Sequence, residues 1–263
     1  MTRLPTVGIV ISALLILAIL LAGCAGQQNA ANSPPATPAT NPGPGGARLA
    51  PPGITALTAV PSPLPPVYSA AQLPDISRIH LGFQNIPNGT LNQIEVTDID
   101  YLKEMQKLDS DYYAVIAAQY PRAPILSNLA ISSSTLANAD YVIYVRYSIT
   151  DPESDIQGIF SDPKLQQIYN QDLATAAGGL GDAYTAAAQD EDLHIANLVA
   201  AMSRTNNQDL TFMYSQQLAE ARNNLRQVTQ QLRTMGIQYT PVYLPSDSYN
   251  AIIYSDMESV RVP

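Results

Sequence analysis

The chain has one cysteine in 263 residues, no tryptophan, three phenylalanines, two histidines, and 13 basic side chains against 22 acidic ones. Each shortage excludes something. A single thiol cannot close an intramolecular disulfide, so the folded part must be held by its apolar core. A net charge of -9 argues against nucleic acid as a partner and against electrostatic docking on anionic lipid. Of the two histidines, His80 falls before the helical patterns in a loop-like segment. A hydrolytic triad would have to be built on His194, and no Gly-flanked serine sits on a strand-turn-helix elbow to complete it. The cluster Ser132 to Thr135 lies inside a helical pattern, and Gly178 to Gly181 has neither a strand before it nor Lys-Ser/Thr after it, so neither reads as a nucleophile or a phosphate loop.

Long hydrophobic runs are also scarce, and the one present is informative. Arg3 supplies a short positive segment, Val7 to Leu21 is almost wholly aliphatic, and Leu21-Ala22-Gly23-Cys24 closes it. A small residue before a thiol that can accept a diacylglycerol is what lipoprotein processing needs, so the N-terminus resembles a prokaryotic lipoprotein precursor. Residues 1–23 read as the signal peptide and Cys24 as the lipidated residue. The competing reading is an uncleaved anchor, for which the run is marginal in length. Either way the membrane is a partner, and two or more acyl chains on Cys24 would give stable anchoring. The expected location is extracytoplasmic, at the cell membrane or outer surface. Ala25, where Asp would signal inner-membrane retention in a diderm, leaves outer-membrane placement open.

Residues 24–74 read as the lipidated N-terminus and a disordered linker. Pro, Ala, Asn, Gly and Ser dominate from Gln27 to Pro66 with Arg48 the only charge, a composition that cannot bury enough apolar area to offset its ordering entropy. Its proline pairs favour a semi-extended spacer. Residues 75–96 read as a lead-in, in which Asn88-Gly89-Thr90 matches a glycosylation sequon but equally marks a turn. The folded domain is expected over 97–263.

There the apolar spacing is helical. Thr97 is the expected N-cap of a first helix through Leu102, Met105, Leu108 and Tyr112. After Pro121 and Pro124, a second runs from Leu126 past Leu136 and Ile143 to an Asp151-Pro152 stop. A short helix opens at Asp162-Pro163 and ends at Gly178-Gly179. A third carries Tyr184, Ala187, Glu191, His194 and Leu198. A fourth, with Asp209 as expected cap, runs through Leu218, Leu225 and Leu232 to Gly236. The pattern predicts an all-α four-helix bundle with a short crossover helix, and a small apolar element, Tyr249 to Tyr254, across one end. The 15 tyrosines, among them Tyr112, Tyr141, Tyr144 and Tyr147, read as amphipathic packing.

Glu191 and His194 stand three apart on the inward stripe of the third helix, the spacing of a bundle metal ligand pair. Around them lie Gln106-Lys107-Leu108 with Asp111 and Tyr113, Leu126-Ser127-Asn128-Leu129, Asp151-Pro152, and Gly158-Ile159-Phe160 with Leu165-Gln166 and Tyr169. Asp182-Ala183, Glu191 to Ile195, Arg222 to Arg226, and Gly236 through Tyr239 and Pro241 follow in order. In these pieces, from about Tyr101 to Ile253, the chain resembles the ferritin-like domains of unknown function 2202. The resemblance implies a ferritin-like bundle and a paired iron or manganese site.

Most of the implied ligand positions are altered. Where the resemblance implies a run of glutamates, the chain has Glu104-Met105-Gln106, with Met105 toward the core. Ser133 and Leu136 replace a second Glu-x-x-His, and Asn224 replaces a histidine on the fourth helix. The expectation is a bundle that has lost its di-metal site: no catalytic residues, no resident cofactor, and Glu191 and His194 as a remnant pair. Met105, Ser133, Leu136 and Asn224 are the candidate lining of a cavity left behind. The protein is expected to be a binding or structural module and not an enzyme. The alternative is an iron- or manganese-binding protein that still uses Glu191 and His194, with residual metal-dependent oxidoreductase activity.

Overall fold

The computed structural model describes residues 73–259; the expected signal peptide, Cys24 and all but the last two residues of the expected linker lie outside them. Among the described residues the chain is all helical, with seven helices and no strand: α1 (Ile76–Gln84), α2 (Gln93–Gln119), α3 (Pro124–Tyr147), α4 (Pro163–Ala176), α5 (Leu180–Arg204), α6 (Gln208–Thr234) and α7 (Ser246–Ile253). No helix among them is long and apolar enough to cross a membrane.

The four long helices form a bundle of two hairpins. α2 packs on α3 and α5 on α6, and the hairpins meet where α2 crosses α5 and α3 crosses α6. The short helix α4, opened by Asp162 with Pro163 at its first position, lies against α5 and α2. Leu108, Ile116, Leu129, Leu136, Leu165, Leu198, Leu225 and Val228 are fully buried in one apolar core.

The lead-in is not a loop. Asp75 caps α1, whose Ile79, Gly82 and Phe83 are buried against α3 and α6. Gly82 is needed there, because a β-carbon would stand 2.3 Å from the ring of Phe212. His80 is therefore helical, though still exposed. Leu73, at the end of the expected linker, packs against the core. Four apolar residues in nine positions gave too short a period to reveal this helix.

Two expected caps move. α2 begins at Asn92, whose side chain accepts from the backbone N–H groups of Ile94 and Glu95 while Glu95 accepts from the Asn92 N–H. Thr97 lies inside the helix and donates to the Gln93 carbonyl. α6 is capped by Asn207. Asp209 instead sits in the first turn, fully buried, accepting from Arg146 at 2.8 Å and from Tyr147 at 2.6 Å. Helical period locates a helix but cannot choose among neighbouring capping residues.

The connection from α3 to α4 contains no helix and is pinned to one face of α2. Lys103 reaches Glu153 at 2.6 Å, Lys107 donates to the Ile156 carbonyl, and Asp111 accepts from the Gly158 N–H. Glu104, the carboxylate that the resemblance put nearest to a metal ligand, accepts from the N–H groups of Ser161 and Asp162 just ahead of α4. It is buried but holds a loop.

The tail is fixed by two buried ions. Asp192 on α5 accepts from the Tyr239 hydroxyl and from the N–H groups of Val242, Tyr243 and Leu244. Arg226 on α6 donates to the Ile252 carbonyl, Ser255, Asn223 and Glu258. These contacts seat α7 on the C-terminal half of α6. Replacing Asp192 with Ala strips four donors of their acceptor and should cost roughly 2–4 kcal/mol in urea unfolding. The same variant should speed amide hydrogen exchange at Val242, Tyr243 and Leu244 more than in α2.

Candidate metal centre

The helical period of α2 places Leu102, Met105, Asp109, Tyr112 and Ile116 on one inward stripe, since they recur at intervals of three and four. Asp109 is the polar member of that stripe and is 1% exposed. α5 crosses α2 at the same level and brings Glu191 and His194, both 0% exposed. One ligand atom from each of Asp109, Glu191 and His194 lies within 4.8 Å of the others. Glu220, from α6, adds a third buried carboxylate.

Each group has at least one protein contact and, in three cases, one buried atom without a hydrogen-bond partner among the described residues. Asp109 Oδ2 lies 2.6 Å from His194 Nδ1. Glu191 Oε1 accepts from the Tyr113 hydroxyl at 2.7 Å. Glu220 accepts from Ser133 at 2.9 Å, from Gln106 at 3.2 Å and from Asn224. Asp109 Oδ1, Glu191 Oε2 and His194 Nε2 are buried without a hydrogen-bond partner among the described residues. Unmatched polar atoms at this depth cost about 1–3 kcal/mol each, so their clustering calls for a ligand or bound protons.

The electrostatics point the same way. Burial pushes the Asp109 carboxyl above the usual carboxylate range, although the neighbouring imidazole opposes the shift. Glu191 is pushed well above its ordinary value, first by burial and then by the charges of Asp109 and Glu220. Glu220 is raised by burial and by Asp109, against the opposing effect of Asn224. The Tyr113 hydroxyl stays protonated, raised by burial and by Glu191. Three carboxyls that repel one another in a dry interior ionise together only if a cation joins them.

The structure thus brings Glu191 and His194 together with two carboxylates that the sequence reading did not single out. Asp109 carried a signal in its three-four spacing, hidden because Leu108 fits the apolar stripe equally well. Glu220 lies on a polar stripe of α6, Gln217, Glu220, Asn224 and Gln227, which reads as a solvated face until the fold shows that all four are buried. Ser133 and Asn224 border the centre, where both donate hydrogen bonds to Glu220. Met105 and Leu136 are in the apolar core, fully buried.

A family model described as an uncharacterized protein domain, DUF2202, matches residues 95–256. The uncharacterized protein MJ0754 of Methanocaldococcus jannaschii is 30% identical over 175 residues, which cover 66% of this chain and 94% of that protein. Its crystal structure, titled as that of a hypothetical protein, superposes with a TM-score of 0.64 and is covered to 99%. The matched span contains Asp109, Glu191, His194 and Glu220 and every helix except α1 in whole or nearly so. On the extent of these matches, the chain belongs to the DUF2202 family.

Proposed function

We propose that this protein is a lipid-anchored extracytoplasmic module with a ferritin-like bundle, and that it binds one divalent metal ion in the bundle interior. The observation that carries the reading is the set of unpartnered atoms on Asp109, Glu191 and His194, all buried and with ligand atoms within 4.8 Å of one another. Two carboxylates and one imidazole suit iron, manganese or zinc, and Asp109, Glu191 and His194 would hold the ion. The metal would supply the positive charge that the three raised carboxyls lack.

A second metal does not fit. A paired carboxylate centre takes a glutamate from each of two helices and a Glu-x-x-His from each of the other two. The corresponding half here is made of Gln106, Ser133 and Asn224, which are neutral and are engaged with Glu220. Neutral amides and a hydroxyl are poor ligands for such ions. The reading is therefore binding without dinuclear oxidase chemistry. Anchorage rests on the N-terminal sequence alone, whose segment lies outside the described residues. Cys24 would carry the lipid, and the proline-rich stretch would hold the bundle away from the bilayer.

Protein purified without chelator should carry close to one equivalent of transition metal by elemental analysis, and His194→Ala and Glu191→Gln should each lower this at least tenfold. Metal content near zero in the wild type, with no thermal shift on adding Mn(II), Co(II) or Zn(II), would leave the centre as a proton-filled polar core. Because the carboxyls are raised and must release protons to bind, apparent affinity should tighten from pH 6 to pH 8, about tenfold per unit for each proton displaced. Direct titration with Co(II), followed by its visible absorption, reads that sign. Cys24→Ser should move the full chain from the detergent phase to the aqueous phase in a cloud-point partition and abolish incorporation of labelled fatty acid.

A further inference from the structure

A groove of about 630 Å3 runs between α5 and α7, and none of Asp109, Glu191, His194 and Glu220 lines it. One side is a stripe of α5, Ile195, Ala196 and Val199; the other is a stripe of α7 that includes Ala251 and Ile252. Val199 is 48% exposed and Ala251 is exposed, so apolar surface stays in water inside a concave site. The volume falls in the range of small-molecule sites, about 300–1,000 Å3. Between the two stripes α6 contributes Arg222 and Arg226, one turn apart.

The two guanidinium groups are not equivalent. Arg226 is buried and is spent on the Ile252 carbonyl, Ser255, Asn223 and Glu258. The Arg222 side chain is 32% exposed, and its one hydrogen bond among the described residues runs from Nη1 to Glu258 Oε2 at 3.3 Å. Other donors of its five-donor fork remain for a ligand. Glu258 shows what the pair recognises: its Oε1 lies 2.7 Å from Arg226 Nη2 while Oε2 faces Arg222, so one carboxylate spans both cations. The backbone of Glu258 is held separately, its N–H donating to Asn223 Oδ1 at 2.8 Å and its carbonyl accepting from Asn223 Nδ2 at 2.7 Å. The side chain can therefore leave Arg222 without unseating the tail. The charged lining is two cations against one anion, in a chain whose net charge is -9.

We propose that this groove binds a small organic carboxylate with an apolar body, independently of the metal centre. The ligand's carboxylate takes Arg222 in competition with Glu258, and its body lies between Val199 on α5 and Ala251 on α7. Apolar walls that lower the local dielectric strengthen the ion pair, and the wet aliphatic surface is covered by the ligand. Glu258 acts as a built-in competitor that an incoming carboxylate displaces.

Phenylbutyrate is the probe, and phenylbutyramide, of the same shape without the charge, is its control. With the full chain in detergent and detergent alone subtracted, ligand-observed NMR should show saturable binding of phenylbutyrate with a dissociation constant on the order of 1 mM, as for other ligands of about a dozen heavy atoms. The amide should bind about tenfold more weakly, the scale of one lost charge-assisted contact. Arg222→Gln should weaken phenylbutyrate binding by a similar factor. Glu258→Gln, which removes the competing charge and keeps the shape, should tighten it several-fold, a gain that misfolding cannot mimic. Circular dichroism checks the helices of each variant, and EDTA should leave the affinity unchanged. Absence of saturable binding in the wild type overturns the proposal, as does equal binding of the amide or an affinity that either substitution fails to move. Binding abolished by EDTA would place the carboxylate on a metal ion and overturn it too.

Discussion

The burial of acid groups between α2, α5 and α6 is the constraint around which the bundle is organised. Asp109, Glu191, Glu220 and His194 are removed from water by the same contacts that build the apolar core, and their mutual repulsion would be severe were all three acids charged. The bundle tolerates them because each has a dedicated partner. Tyr113 and Asn224 serve Glu191; Gln106, Ser133 and Asn224 serve Glu220; and the Asp109–His194 contact joins α2 to α5. One ligand atom from each of Asp109, Glu191 and His194 lies within 4.8 Å of the others, which turns a packing liability into a binding opportunity.

Polar burial serves a different purpose elsewhere in the molecule. Lys103, Glu104, Lys107 and Asp111 hold the long helix-free connection onto α2, while Asp192 and Arg226 hold the C-terminal arm onto α5 and α6. These groups are matched by opposite charges or by several backbone partners, as buried ions must be. The central acids differ in having no basic side chain in direct hydrogen-bonding contact except His194. The distinction between matched and unmatched buried charge separates the residues that shape the fold from those that can hold a ligand.

Much of the helical frame was legible in the sequence, because three-four periodicity is set by the helix itself and not by its neighbours. Pro163 with Asp162 marked the start of α4, and Gly236, at a φ of 75°, marked the end of α6. The first helix escaped notice because nine residues give a weak period, and the caps Asn92 and Asn207 lost out to nearby residues of the same capping chemistry. Of the site, the Glu191–His194 pair was readable from its spacing. Asp109 and Glu220 were not, since a polar residue beside an apolar stripe looks solvated until a second helix is known to cover it.

The amino-acid sequence by itself determined the helical class, the order of the long helices and the presence of a single thiol. These follow from local period, composition and residue identity. Only the tertiary structure decided which acids meet. Glu104, next to Met105 and carrying a suitable side chain, is turned to a loop, whereas Asp109 is turned to His194 85 residues away. The reason is physical: a carboxylate's role depends on which donors and charges surround it after folding, and those come from helices far apart in the chain.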